Sequence, residues 1–307
     1  MKQAGIALKD SPDYAGDFSK LSSESTRTLN SFKADGREKL KCLGVEVTID
    51  REAVPEMLEL STKMSFLVVG EPGAGKTGCL LQLASRIAAR AQRFWFLAVE
   101  NYQGASLPML AQELGLQHPF DTLFSDAKSG TGSILVLDGL DAARESTSQR
   151  TWRELVRSAL RHGITVVASI RQFDLTCSPS WKELFSTNVD STQKSIALGL
   201  DEVSHIRIGD LSEAELASVL DGFPDVANLL NASPALRRLA ANIFNASLLC
   251  DVANRGVAGG ELAALTTQQE LLDKWWSSRI AAHPRGGEVE DALKSIIEKM
   301  VNLKSDN

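Results

Sequence analysis

The pattern of apolar positions divides the chain into two parts. Short apolar runs occupy residues 66–69, 94–99, 134–137 and 164–170, and the segments between them repeat apolar residues with a helical period. Strands that alternate with helices predict an α/β domain built on a parallel sheet, with helices on both faces. A further strand is expected between residues 195 and 208.

Beyond residue 210 the pattern changes to one helix after another. Ser212 and Glu215 have the spacing of a capping box, and so do Thr267 and Glu270. Pro234 directly follows Ser233, which places a cap residue before a proline at the first helical position. This part of the chain therefore predicts a smaller all-helical domain.

The first apolar run leads into a glycine-rich loop of the form G-x-x-x-x-G-K-T, the phosphate-binding loop of P-loop NTPases. Glycine permits the torsions and the close approach that such a loop needs, and its N–H groups then form a nest for anionic oxygens. Lys76 is expected to reach the β- and γ-phosphates, and the Thr77 hydroxyl to ligate Mg²⁺. The predicted nucleotide-binding residues of the loop are Gly70, Glu71, Pro72, Gly73, Ala74, Gly75, Lys76, Thr77 and Gly78.

A second acidic motif follows the third apolar run. Asp138 ends that run 62 residues after Lys76, as in a Walker B element, and is expected to hold Mg²⁺, often through water. AAA+ ATPases usually place a water-activating glutamate next, but this chain has Gly139. The next carboxylate is Asp141. It is either the catalytic group facing the γ-phosphate, which we favour, or a helix cap.

These motifs resemble a known group of proteins. The stretch Asp138–Asp141 resembles the Walker B element of STAND NTPases, the signal-transduction ATPases that include the NACHT and NB-ARC groups. Residues 49–52 resemble the h-G-R-E element of that class, residues 166–171 its sensor strand ending in arginine, and residues 231–236 its G-x-P-L-A-L element. Together, residues 137–144 and 168–175 resemble the corresponding stretches of a bacterial branch of large STAND-like ATP-binding proteins.

The resemblance implies an ATPase that works as a molecular switch on ATP/ADP and Mg²⁺. It implies that Ile49, Arg51 and Pro234 surround adenine, and that Arg171 senses the γ-phosphate. With Lys76, Asp138 and Asp141, Arg171 completes the predicted catalytic set; Thr77 and Asp138 are the predicted metal ligands. In the class, nucleotide exchange or hydrolysis changes the angle between domains and drives homo-oligomerisation.

The chain departs from the class in three ways. Asp50 stands where the h-G-R-E element has glycine. Ala142 stands where NACHT proteins carry a second acid, and for this reason we expect slow hydrolysis. Members of the class also continue into a winged-helix domain and a repeat or sensor region. Effector and sensor regions are therefore expected outside this sequence, which is either a fragment or a short member.

The predicted organisation has four segments. Residues 1–44 form a tail or linker, within which residues 25–42 have helical character, and residues 45–210 form the nucleotide-binding domain. Residues 211–283 form a helical lid domain. Residues 284–307 are the start of a winged-helix-like region or a C-terminal helix.

Composition narrows the possible partners. The net charge of −6 argues against a general nucleic-acid-binding surface, and no apolar run approaches the 18 residues of a membrane span. The four cysteines are isolated from one another, which indicates a reducing cytoplasm and no zinc site.

Three rival functions stay open at this point. They are an AAA+-like machine acting on DNA or protein, a P-loop kinase of a small molecule, and a module that holds ATP without turnover. A GTPase is disfavoured because the sequence lacks the [N/T]-K-x-D guanine element.

Overall fold

The computed structural model describes residues 13–127, 132–186 and 200–305. The chain divides into two compact units. The sheet unit comprises the described residues of Met1–Asp35, Val54–Val69 and Leu80–Arg207. The helical unit comprises the described residues of Gly36–Ala53, Gly70–Cys79 and Ile208–Asn307. The glycine-rich loop thus makes most of its contacts within the helical unit, although the strand before it belongs to the sheet unit.

The secondary structure follows the predicted alternation. The strands are β1 (Lys39–Cys42), β2 (Val45–Thr48), β3 (Phe66–Gly70), β4 (Phe94–Ala98), β5 (Ile134–Asp138), β6 (Thr165–Arg171) and β7 (His205–Arg207). The first eight helices are α1 (Ala15–Ala34), α2 (Ala53–Leu60), α3 (Lys76–Ala89), α4 (Leu107–Glu113), α5 (Phe120–Ala127), α6 (Ser146–Arg161), α7 (Gln172–Thr176) and α8 (Pro179–Leu184). The later helices are α9 (Glu213–Asp221), α10 (Pro224–Ala232), α11 (Pro234–Ala240), α12 (Ile243–Asn254), α13 (Gly259–Ala263), α14 (Gln268–Trp276) and α15 (Gly286–Ser305).

The sheet unit is built on a five-stranded parallel sheet with the order β4-β5-β6-β3-β7. Every residue of β3 and β5 is buried, so both faces of the sheet are covered. The predicted α/β class is confirmed. Because the strands are parallel, β3, β5 and β6 end at the same edge of the sheet, where ligands bind in folds of this kind. The strand expected between residues 195 and 208 is β7, and residues 195–199 lie outside the described part.

Each unit has its own apolar core. In the sheet unit, Trp95 of β4, Phe124 of α5 and Trp152 of α6 are at most 1% exposed and belong to one cluster. In the helical unit, Leu236 of α11 and Val252 of α12 are fully buried within a second cluster. On α6, Leu155 and Val156 are buried in the same cluster as Trp152, so one side of this helix faces the core.

The N-terminal region is more ordered than the prediction of a tail or linker suggested. Ala15–Ala34 form the helix α1, so the helical character expected over residues 25–42 ends at Ala34. Residues 39–42 form a strand instead, in which Leu40 and Cys42 point into the core and alternate with exposed lysines. Gly36, at φ +70°, separates the two elements.

Helix α1 covers the edge strand β4. The Ser25 hydroxyl is buried, accepts from the N–H of Phe96 (2.8 Å) and donates to the carbonyl of Leu21 (2.8 Å). Asp17 accepts from the N–H groups of Gln117 and His118. Burial raises the pKa of Asp17, but these hydrogen bonds outweigh it and leave the pKa below its ordinary value. The helix thus satisfies backbone donors that an uncovered edge would leave unpaired.

The helical unit begins with the antiparallel hairpin β1–β2, which turns at Leu43 and Gly44, both at positive φ. The Asn254 side chain at the end of α12 accepts from the N–H of Leu43 and donates to the carbonyl of Lys41 (3.3 Å). Both predicted capping boxes form, at the starts of α9 and α14, and Ser233 caps α11 with Pro234 in the first turn. Over the described residues, no helix combines the length and apolarity that crossing a membrane requires.

We predict that Ser25→Ala lowers the free energy of unfolding by about 1–3 kcal/mol, because the buried N–H of Phe96 loses its acceptor. Urea unfolding followed by circular dichroism measures this. Ser23→Ala, at an exposed position of the same helix, is the control and should change little. Equal stability of the two variants would show that the contact with β4 contributes nothing.

Candidate functional site

The strand, the loop and the helix follow one another in the predicted order. β3 ends at Gly70 and α3 begins at Lys76. Gly73 and Gly75 have φ values of +77° and +90°, in the left-handed region that favours glycine. The loop therefore has the backbone shape for which its glycines were predicted.

The start of α12 lies directly against this loop. A Cβ atom added to Gly73 would come within 2.6 Å of Phe244 Cβ, and one added to Gly75 within 2.6 Å of Ile243 Cδ1. A larger residue at Gly73 would therefore push against the base of the Phe244 side chain, whereas at Gly75 it would have to move the tip of the Ile243 side chain. Packing thus adds to the torsional requirement for glycine, most strongly at Gly73.

Lys76 is held by the loop itself. Its Nζ donates to the carbonyl oxygens of Gly70 (2.9 Å) and Glu71 (3.0 Å). The side chain is partly exposed, and an ammonium group can exchange one acceptor for another. Lys76 can therefore turn from these carbonyls to a phosphate oxygen without leaving the loop.

The thiol of Cys79, three residues after Lys76, adds no charge to the loop. Cys79 lies in the first turn of α3 and is fully buried, and this burial raises the pKa of its thiol to about 11. The thiol is therefore neutral at physiological pH and does not oppose an anion bound at the loop.

Arg51 lies behind the loop. Its Nη1 donates to the carbonyl of Ala74 (2.9 Å), its Nη2 to the carbonyl of Gly209 (2.8 Å) and its Nε to Glu215 (3.0 Å). Only 6% of Arg51 is exposed. The guanidinium is thus engaged by two backbone carbonyls and a carboxylate. Its predicted place near the nucleotide's base stays a prediction.

The other two residues predicted around adenine are also in the helical unit. Ile49 is 5% exposed and belongs to the apolar core of that unit. Pro234 is the first residue of α11 and directly follows the cap residue Ser233. Their proposed contact with the base stays a prediction.

Asp138 is anchored by a neighbouring strand. It is 7% exposed, and its Oδ1 accepts from the hydroxyl of Ser169 on β6 (2.6 Å). The same hydroxyl accepts from the N–H of Gly139 (2.7 Å). No role is predicted for Ser169 from the sequence. The available signal was a hydroxyl residue between Ala168 and Ile170, in the apolar part of a predicted strand.

Gly139 explains why no glutamate follows Asp138. Its φ and ψ are +79° and +52°, a left-handed conformation in which a glutamate would be strained. The chain turns sharply here into the short 3₁₀ helix Leu140–Ala142. The next carboxylate thus arises only at Asp141.

Asp141 and Arg171 pair with each other. Arg171 Nε lies 2.6 Å from Asp141 Oδ2, and the side chain of Asp141 is 11% exposed against 43% for Arg171. Gly139, rather than Asp141, precedes the 3₁₀ turn in the cap position. The structure thus brings together two of the predicted catalytic residues as an ion pair.

The donors suit magnesium rather than a softer metal. The described residues contain no group of three or more His, Cys, Asp or Glu side chains that could hold a metal ion. Mg²⁺ typically takes one or two carboxylates and completes its shell with water and phosphate oxygens. Asp138 and the hydroxyl of Thr77 are hard oxygen donors of this kind, and both remain predicted ligands.

The strand order, together with the loop between β3 and α3, defines an α/β fold of the P-loop NTPase type. No known protein family matches the chain, and neither does any curated protein.

Several solved structures resemble this fold. One is Orc1 of Aeropyrum pernix in complex with DNA, at 14% identity and a TM-score of 0.42 over 74% of this chain and 65% of that one. Another is AMPPCP-bound DnaA of Aquifex aeolicus, at 14% identity and a TM-score of 0.38 over 81% and 87%. The ADP-bound AAA domain of FIGL-1 is 13% identical, with a TM-score of 0.42 over 80% and 88%.

We predict that Arg171→Ala weakens ATP binding more than ADP binding, because an arginine fork released from Asp141 can meet the oxygens of a γ-phosphate. Titration with fluorescent ATP and ADP analogues measures both affinities. Arg150→Ala removes an exposed arginine paired with Glu154 and is the control. Equal losses for ATP and ADP would assign Arg171 a structural role.

Proposed function

We propose that this chain binds ATP with Mg²⁺ at residues 70–78 and hydrolyses it slowly. The observation that carries the proposal is the shape of the loop between β3 and α3, where Gly73 and Gly75 adopt positive φ. Successive N–H groups in such a loop form a concave site for anions. Lys76, the cation of the loop motif, begins the helix that follows.

The proposed roles divide between binding and metal coordination. Lys76 would exchange the Gly70 or Glu71 carbonyl for β- and γ-phosphate oxygens, which are better acceptors because they are charged. Thr77 and Asp138 would supply oxygen ligands to Mg²⁺, which would neutralise phosphate charge. The Ser169 hydroxyl would keep the Asp138 carboxylate oriented.

Slow turnover is supported by the state of Asp141. This residue is the proposed group that orients or activates water, but its carboxylate is engaged by Arg171. The carboxylate would have to exchange this contact for one to water, so the pair has to separate or rearrange first. The residue that follows is Ala142, which offers no second carboxylate.

The finer proposal is a STAND-type switch, in which the nucleotide state controls domain arrangement and homo-oligomerisation. Its support lies in the packing of the loop: the first two residues of α12, Ile243 and Phe244, lie against Gly75 and Gly73. A phosphate group bound by the loop would act close to that helix. Nucleotide exchange can therefore change the contacts of α12.

An AAA+-like ATPase acting on DNA or protein is the second candidate, since the parallel sheet followed by helices suits it equally. The left-handed Gly139 in place of a catalytic glutamate favours the switch. ATPase assays with and without duplex DNA distinguish the two, because only the second candidate predicts stimulation.

We predict that Lys76→Ala abolishes detectable ATP binding, because the loop loses its side-chain cation at a site for several phosphate charges. Titration with a fluorescent ATP analogue and Mg²⁺ measures this. Lys63→Ala, which removes an exposed lysine paired with Glu59, is the control. Wild-type affinity in Lys76→Ala would refute the assignment of the loop.

We predict a separation of binding from turnover at the two aspartates. Asp138→Asn should weaken Mg²⁺-dependent ATP binding, whereas Asp141→Asn should keep binding and lose roughly 10²–10⁴-fold in hydrolysis rate. Phosphate release measures turnover. Light scattering measures self-association of the ATP-trapped form of Asp141→Asn. Asp126→Asn, at an exposed position of α5, is the control.

A larger species of Asp141→Asn with ATP would support the switch. Hydrolysis by Asp141→Asn at the wild-type rate would mean that the catalytic base lies elsewhere.

A further inference from the structure

We propose that Glu215 is a positioning residue for the phosphate-binding loop and acts through Arg51. The inference rests on the proposed function, because it concerns the same nucleotide site. Glu215 was predicted only as the acidic member of a capping box, and it does accept from the N–H of Ser212 (2.8 Å) in that role. Its second carboxylate oxygen makes contacts that capping does not require.

That second oxygen, Oε1, joins two further donors. It accepts from Arg51 Nε (3.0 Å) and from the N–H of Glu52 (2.7 Å). The side chains of Arg51 and Glu215 are 5% and 6% exposed. A buried guanidinium is costly without an opposite charge, so Glu215 is the group that allows Arg51 to stay in this position.

Arg51 in turn fixes a peptide plane of the loop. Its Nη1 holds the carbonyl oxygen of Ala74 at 2.9 Å. In a trans peptide the carbonyl and the following N–H point in opposite directions. The N–H of Gly75 is therefore directed away from Arg51.

The conformation of Gly75 agrees with this placement. With φ at +90°, a Cβ atom added there would lie 3.2 Å from Arg51 Nη1, so Arg51 occupies the side of the loop where a side chain would stand. Since a phosphate nest needs its N–H groups on the opposite, concave side, Arg51 holds the Gly75 donor in the direction that binding requires.

A purely structural role for the ion pair predicts something different. If the pair only stabilised the helical unit, its loss would lower the melting temperature and leave the affinity of the folded protein unchanged. If it positions the loop, its loss would weaken binding in fully folded protein. It would affect ATP and ADP alike, because both carry the phosphates that the loop amides meet.

The test compares Glu215→Gln with Glu213→Gln. Both changes neutralise a glutamate of α9, but Glu213 is exposed and pairs with Arg237. Fluorescent ATP and ADP titrations below the melting temperature give the affinities, and the ¹H–¹⁵N signal and hydrogen exchange of the Gly75 amide report the loop directly. Loss of one charge-assisted buried hydrogen bond corresponds to roughly tenfold to hundredfold in affinity.

We expect Glu215→Gln to lose about that factor for both nucleotides and to show a shifted, faster-exchanging Gly75 amide, with Glu213→Gln unchanged. In the background of Arg51→Met, Glu215→Gln should cost little more, because the two residues act in series. Should Glu215→Gln fail to fold, Arg51→Lys keeps a cation near Glu215 without the planar fork, and the same measurements apply.

Two results would overturn the inference: wild-type affinity and an unshifted Gly75 amide in folded Glu215→Gln, or an effect that matches Glu213→Gln. Failure of the wild-type protein to bind any nucleotide would instead overturn the proposed function. The Gly75 amide would still show whether Glu215 positions the loop.

Discussion

A loop that binds phosphate through its backbone, as we propose for residues 70–78, must direct its N–H groups to one side. The surroundings of these residues agree with that requirement. The left-handed torsions at residues 73 and 75 favour glycine, and glycine has no side chain to separate the loop from its neighbours. The first residues of α12 fill that space, and Arg51 occupies the carbonyl side. The loop, α12 and Arg51 are therefore parts of one arrangement, imposed by backbone geometry.

Backbone geometry also determines the arrangement at the end of β5, where Asp138 and Asp141 lie. The turn after β5 requires a left-handed residue, so Gly139 stands where a catalytic carboxylate would be strained. The Gly139 N–H then reaches the Ser169 hydroxyl, which in turn holds Asp138. Backbone shape thus separates the proposed metal ligand from the proposed catalytic group and leaves Asp141 to pair with Arg171.

The features that could be predicted from the sequence are those that depend on residues close together along the chain. The strands β3 to β6 were predictable because each is a continuous apolar run, and the caps of α9, α11 and α14 because their residues lie within three positions of each other. The strand β1 was missed because four alternating residues, Lys39–Cys42, are too short a pattern.

The roles of Ser169, Arg51 and Glu215 were missed for another reason. Each depends on a partner far away in sequence, such as Gly139 for Ser169 or Ala74 for Arg51. Glu215 had, in addition, a sufficient local explanation as part of a capping box. Because one carboxylate serves both the start of α9 and Arg51, a displacement of α9 would release the Ala74 carbonyl and turn the Gly75 N–H. Helix α9 would in this way affect phosphate binding without any side chain of its own touching the nucleotide.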